Sequence, residues 1–340
     1  MRITLYQPRF SVAISKRPDG LSWLGECLLD AGHQVIQADN AVAPATGDSD
    51  LIWLQGNASW YSGVCRWLTQ AGSRRPPVVL WHTEPLPPRP GSGFRNGWLD
   101  PREIVRIVRR DPQVSDPLTN AHRLRRLHRC GLPDLLIVSG RGRQGYLASC
   151  GIDSRFVPLG YAPKHHGRPL GLERDIDVLF LGAMDVWRRQ RLVKKLERAG
   201  VRVRTEGSFN DHGLWGDQRS RVLNRTKILL NLQRQPGQFA GLRMILGMAN
   251  GAMVISEPID QPEPYAAGRH YVEASVDQIP AVIGHYLNHP QERERIAADA
   301  YRLVSEEVTM SQSLRHIMSL VAGEAWTSVS RHNSLKTART

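Results

Sequence analysis

The feature that most constrains this chain is an alternation of short apolar runs with amphipathic stretches that stop at glycine. Residues 2–6 have the pattern of a strand, 21–31 of an amphipathic helix closed by Gly32, and 34–38 and 51–54 of further strands. Residues 60–71 form a helical pattern that stops at Gly72, and 77–81 a buried strand. After these come a strand at 135–139, a helix at 141–150 and a short strand at 156–160. Apolar strands of this length joined by helices are the signature of a parallel sheet covered on both faces. A stretch rich in Pro, Gly, His and Arg, 162–174, is expected to link two domains. Beyond it the alternation restarts, with strands at 176–181, 201–204, 228–232, 253–256 and 270–273 and helices at 188–199, 242–250 and 278–287. The expectation is an α/β chain of two facing Rossmann-like domains, which suits 340 residues at about 150 per domain.

Composition narrows the partners. Lys and Arg outnumber Asp and Glu by 45 to 32, a net charge of +13 that favours anions such as nucleotide phosphates, anionic headgroups or nucleic acid. The excess gathers at 102–110, 123–129 and 188–191 and in the tail, where solvated helix faces explain most of it. No apolar run approaches the roughly 20 residues of a membrane span. The N-terminus enters a strand pattern directly, without a charged-then-apolar leader, so a cytoplasmic location is expected, with peripheral contact at the inner membrane surface. Cys27, Cys65, Cys130 and Cys150 form no CxxC pair, which argues against structural zinc and for reduced thiols. Adjacent His165 and His166 point in different directions and make no metal pair; neither metal nor cofactor is expected. A phosphate-cradling GxxxxGK[ST] loop and a GxSxG elbow are both absent, and 140–145 match a dinucleotide fingerprint only loosely.

Several segments of the second half resemble glycosyltransferases of the two-Rossmann-domain GT-B architecture, nearest to the spore-maturation-type group of the family-one/family-four-like clan. They are Asp177-Val-Leu-Phe-Leu-Gly182 followed by Arg188-Arg189, Ile228-Leu-Leu-Asn-Leu232, the run from Gly241 through Arg243 and Gly251 to Glu257, Tyr265 to Val272, and His289-Pro290. The resemblance implies a first domain at 1–165 that takes the acceptor and a second at 166–310 that takes a nucleotide-sugar donor. It also implies a helix at 311–323 crossing back to the first domain, ahead of a disordered basic tail at 324–340. The sequence departs from the pattern at one place. Related retaining enzymes carry two glutamates eight positions apart, where this chain has Gln238 and Leu246.

Chemistry then selects residues. A diphosphate leaving group needs backbone N–H groups at a glycine turn and nearby cations, which a metal-independent site can supply. Gly182, Arg188, Arg189 and Lys194 stand at such a strand-to-helix junction, and Arg243 interrupts an apolar helix where a charge must be paired or face a cleft. An ion pair of Arg243 with Glu257 is the alternative. Gly251, Glu257 and Glu263 are expected near the donor's nucleotide and sugar, although Gly251 has a purely structural reading as a helix terminator. In the first half, His82 and Glu84 follow a buried strand, where one of them would act as general base toward an acceptor hydroxyl. The long Pro/Gly stretch after them, 85–97, has the character of a lid or binding segment. The expected function is sugar transfer from a nucleoside-diphosphate sugar to an acceptor, an anionic or lipid-linked glycan on grounds of charge. A non-catalytic protein that kept the fold, and a nucleic-acid binder using the arginine-rich helices, are the alternatives.

Overall fold

The computed structural model describes residues 1–7, 22–39, 49–72, 75–95, 104, 105, 108, 116–184, 186–207, 214 and 216–325. Among these, two sheets form, each parallel throughout. The first holds β1 (Arg2–Gln7), β2 (Gln34–Asp39), β3 (Leu51–Gln55), β4 (Val78–His82), β5 (Leu135–Val138) and β6 (Arg155–Phe156), in the order β2-β1-β3-β4-β5-β6. Its crossovers include α1 (Trp23–Asp30), α2 (Ser62–Ala71), α3 (Pro117–Arg129) and α4 (Arg141–Ser149). Every residue of β4 is buried, as expected of a central strand covered on both faces. Local chemistry sets the helix starts: Ser22 accepts from Gly25 N to open α1, and Asp116 accepts from Thr119 N, with Pro117 next, to open α3.

The second sheet holds β7 (Ile176–Leu181), β8 (Arg204–Glu206), β9 (Thr226–Asn231), β10 (Met253–Ser256) and β11 (Val272–Glu273), in the order β11-β10-β9-β7-β8. With it go α5 (Trp187–Arg198), α6 (Gly216–Asn224), α7 (Gly241–Ala249), α8 (Ile279–Asn288) and α9 (Pro290–Arg302). Because β8 and β9 flank β7 on opposite sides, the winding reverses between β7 and β9. The crevice beyond the carboxyl ends of two such strands is where open α/β sheets take ligands.

The last helix, α10 (Met310–Leu320), packs against the first sheet. Met310 N donates to Tyr161 O at 2.8 Å, Tyr161 N to Val308 O at 2.7 Å, and Ser313 Oγ to Pro158 O at 2.9 Å. One apolar cluster therefore contains Ile3, Leu5 and Trp53 together with Met244, Met248, Leu314 and Ile317. A box at its start, Thr309 with Gln312, fixes where α10 begins. No helix among the described residues is long and apolar enough to cross a membrane.

Several local expectations shift. The strand expected at 201–204 forms at Arg204–Glu206, because the chain leaves α5 through a turn at Gly200 and buries Val203 first. The strand expected at 156–160 forms instead at Arg155–Phe156; Val157 N still donates to Val138 O, but Pro158 brings no N–H to extend the pairing. The linker contains a helical turn, Pro163–His166, with His166 buried and stacked on Tyr161. Cys130 is exposed, while Cys27 and Cys65 are buried. Most of the basic stretch at 101–110, and the tail from 326, lie outside the described residues.

Candidate functional site

Arg243 lies at the point where the second sheet reverses its winding. From the first turn of α7 its Nε donates to Leu181 O at 2.8 Å, and its Nη1 to Asn231 Oδ1 at 2.8 Å and Leu232 O at 3.2 Å. These acceptors stand at the carboxyl ends of β7 and β9. Asn231 is itself held by Ser256 Oγ at 3.0 Å, which turns its carbonyl oxygen toward the guanidinium. Among the described residues Nη2 has no hydrogen-bond partner. Burial, and the nearby charge of Arg234, push the Arg243 pKa down to about 10. Gly182 makes the arrangement sterically feasible: its φ is +150°, and a Cβ there would lie 2.7 Å from Nη2. The start of α7, at Ala240, has no side-chain cap, so its free N–H groups add to the positive potential beside this guanidinium.

The alternative partnership, Arg243 with Glu257, does not form. Glu257 follows β10, is buried, and is taken by Arg188, whose Nη1 is 3.0 Å from Oε2 while Nη2 bonds Oε1. Oε2 also accepts from Gln233 N at 2.9 Å. Gln233 then knots the loop, donating to Glu257 O and Pro258 O and accepting from Gln238 N. Arg189 is buried and pins the turn after β7, with Nε on Leu232 O and Nη1 on Ala183 O. Both Arg189 and Arg243 stack near Phe180, at 5.4 and 4.9 Å from its centroid. Arg188 thus takes the carboxylate of Glu257, while Arg234 lies within electrostatic reach of Arg243 and has no ion-pair partner among the described residues.

The first domain closes over this loop. Arg143 donates to Ser139 Oγ and, across the seam, to Phe239 O at 2.8 Å. Burial lowers its pKa to about 10, partly offset by the charge of Glu84. Phe239 stacks on Tyr265 and packs against Gly140. From the Pro/Gly stretch Arg89 reaches Asp260 Oδ1 at 3.4 Å, and Phe94 packs on Gly237. A small cavity of about 30 Å³ remains at the seam, lined mostly by apolar atoms of Leu86, Pro87, Pro236 and Phe239, with Arg143 and Asp260 at its edge.

Placement sorts the residues expected from sequence. Gly182, Arg188, Arg189, Arg243 and Glu257 come together. Lys194 does not: with Arg191, Lys195 and Arg198 it occupies the solvent face of α5, because the helical period turns Val193 and Leu196 inward. Gly251 stands before β10, at the end of the sheet opposite Glu257, and terminates α7 with φ +69° beside Arg174. That is its structural reading, and it borders no part of this cleft. Glu263 is exposed in the loop after β10, near Tyr271. His82 has no solvent exposure; its Nδ1 is 3.1 Å from Gly56 O, and burial drives its pKa to about 3. A ring so enclosed offers no surface to an acceptor hydroxyl, whereas Glu84 is half-buried beside Arg143. No group of three or more His, Cys, Asp or Glu among the described residues is arranged to hold a metal.

Sequence reasoning missed Asn231, Gln233, Arg143, Arg89 and Asp260. Polar Asn231 and Gln233 at the end of an apolar strand were a usable signal. The seam residues had none, because their pairing depends on how the two domains meet.

Against known proteins, a model of the glycosyl transferase-like family matches residues 188–319, under half of the chain. No curated protein matches. Among solved structures, Anabaena HepE in complex with UDP and glucose aligns over 95% of this chain and 100% of its own, at 13% identity and a TM-score of 0.59. T4 phage BGT, in complex with its UDP-glucose substrate, aligns over 95% and 99% at 11% identity and TM-score 0.56. AviGT4, a glycosyltransferase involved in avilamycin A biosynthesis, aligns over 96% and 98% at 14% identity and TM-score 0.55. At these identities the likeness is one of fold, and the chain has the GT-B fold: two parallel-sheet Rossmann-like domains.

Proposed function

We propose that this protein transfers a sugar from a nucleoside-diphosphate sugar to an acceptor hydroxyl, without a metal in the donor site. The observation that carries the reading is Arg243: a half-buried guanidinium at the switch point of the second sheet, bonded only to carbonyl and amide oxygens, with one nitrogen left over. A cation so placed, without a carboxylate of its own, favours an anion in the cleft. A diphosphate laid on Arg243, Arg234 and the open start of α7 would supply it. HepE and BGT, which share the fold, are complexes with UDP or UDP-glucose. The family match over 188–319 supports glycosyl transfer, and the run from Arg243 to Glu257 is what resembles the spore-maturation-type group.

In the reaction the acceptor oxygen bonds to the anomeric carbon as the bond to the β-phosphate oxygen breaks, and the electron pair leaves on the diphosphate. Guanidinium groups and helix N–H groups already in place stabilise that charge without reorganising. In an inverting transfer, Glu84 would accept the acceptor's proton. The Arg188–Glu257 pair would hold the cleft wall, and closure at Phe239 would exclude water.

The test is binding of UDP-, GDP-, ADP- and dTDP-sugars by thermal shift and calorimetry, with product nucleotide measured in parallel. One nucleotide should bind and stabilise the fold, by about 2.7 kcal/mol at 100 times its dissociation constant. Arg243→Ala should abolish the shift. Failure of all four nucleotides to bind would overturn the reading. Binding with no turnover toward any acceptor or water would favour a non-catalytic nucleotide-sugar protein, the alternative that Gln238 and Leu246 suggest.

A further inference from the structure

Beside the seam, on the first domain, runs a groove of about 590 Å³, within the usual range of ligand sites. Arg141, Gln144 and Gly145 of α4 line it with Ser154, with Arg155 and its ion-pair partner Asp153, and with Gln261 of the second domain; Gln144 Nε2 donates to Ser154 O at 2.9 Å. Five features mark it. Helix α4 starts at Gly140 with no side-chain cap and no acid in its first turn, which carries Arg141 and Arg143 instead. A cation at that end of a helix opposes the dipole, so the local electrostatics call for an anion.

Arg141 is exposed, held with its guanidinium carbon 4.7 Å above the Phe156 ring, and has no ion-pair partner among the described residues. Ser154 lines the groove at 6% exposure, with a buried hydroxyl that has no partner among the described residues. Gln261 has φ +52°, the one non-glycine residue with positive φ among those described, and such local strain collects at ligand sites. Gly145, without a side chain, lets Arg89 pass beneath: its Nε, buried and unpartnered, would be 3.4 Å from a Cβ there.

We propose that this groove binds a glycan bearing an anionic group, with the carboxylate or phosphate on Arg141 at the open start of α4 and sugar hydroxyls on Ser154 and Gln144. Its mixed polar lining, without an aromatic stacking platform, suits sugars better than bases. The position at the seam makes this glycan the acceptor. That last word rests on the donor reading above, whereas the binding itself does not.

The experiment is calorimetric titration of the full chain with tetragalacturonate, maltose 1-phosphate and neutral maltotetraose, with UDP-glucose titrated into the same preparations. At least one anionic probe should bind, at least about tenfold more tightly than maltotetraose, and which one binds identifies the anion. Arg141→Gln should weaken that binding about tenfold, the worth of a charge-assisted hydrogen bond. Ser154→Ala should weaken it less. Arg198→Gln, the same loss of charge on α5, should change it less than about twofold. Three results would overturn the proposal: equal binding of neutral and anionic probes, equal losses from Arg141→Gln and Arg198→Gln, or no anionic probe bound by protein that melts normally. Loss of UDP-glucose binding alone would strike the donor reading and leave the groove standing.

Discussion

The guanidinium of Arg243 passes through the space where a side chain at Gly182 would begin, with Nη2 2.7 Å from a Cβ placed there. Two residues far apart in the chain are thus one device. A glycine with φ +150° opens the backbone at the end of β7, and the arginine uses the opening to reach Leu181 O. Gly182→Ala should displace the guanidinium and strain the turn, lowering stability by about 1–2 kcal/mol. Nucleotide-sugar affinity should fall as far as it does in Arg243→Ala. Calorimetry and a urea melt of the two variants read both effects, and wild-type affinity in Gly182→Ala would contradict the device.

Arg188 and Glu257 tie the start of α5 to the loop after β10. Glu257 is 4% exposed at its side chain and Arg188 27%. Removing one partner of a fully buried pair costs about 3–5 kcal/mol, and the partial exposure of Arg188 scales that to about 2–3. Glu257→Gln should show that loss in urea denaturation, and Arg188→Met added to it should cost little more. Additive losses in the double-mutant cycle would mean that the two side chains act separately.

How far the sequence spoke for itself is clearest at Arg243 and Lys194. Both were expected in the donor group, Lys194 as a cation beyond a strand-to-helix turn and Arg243 as a charge interrupting an apolar helix. Arg243 joins it because its place in the first turn of α7 sets the guanidinium against the carboxyl ends of β7 and β9. Lys194 does not, because its place in the α5 period faces water. The apolar strands announced both sheets, since burial on two faces leaves a continuous apolar run. Helix α6 escaped notice because its inward residues include Arg219, bonded to His165 O, so no apolar stripe exists to read. Asp260 and Arg89 meet only when the domains do, and no local pattern encodes that.

Two buried histidines give the fold a pH dependence. His82 and His166 have pKa values of about 3, lowered first by burial, against about 6.5 in an unfolded chain. Between those values the unfolded state binds two protons that the folded state refuses, so stability is complete above pH 6.5 and falls as pH falls toward 3. For two such groups the loss from pH 7.5 to 5.5 is about 2–3 kcal/mol. Urea melts across that range should show it, and His166→Phe should roughly halve the slope. A flat profile would mean that both rings are protonated in the native state.

Leu246 occupies the position of the second glutamate in the resembled pattern, and its surroundings explain why none is there. It is 4% exposed, in a cluster with Ile176, Leu179, Leu223, Leu229 and Ala252, on the face of α7 that meets the sheet. A carboxylate in that cluster would be charged without a partner or forced to protonate. Leu246→Glu should therefore destabilise the protein by more than about 3 kcal/mol, without improving nucleotide-sugar affinity or turnover. Arg243, one turn earlier on the helix, lies instead at the carboxyl ends of β7 and β9, where the donor reading puts the diphosphate. Stable, more active Leu246→Glu protein would show that the resembled pattern is merely incomplete here. A destabilised, no more active variant would show that the helix has been repacked around a different site.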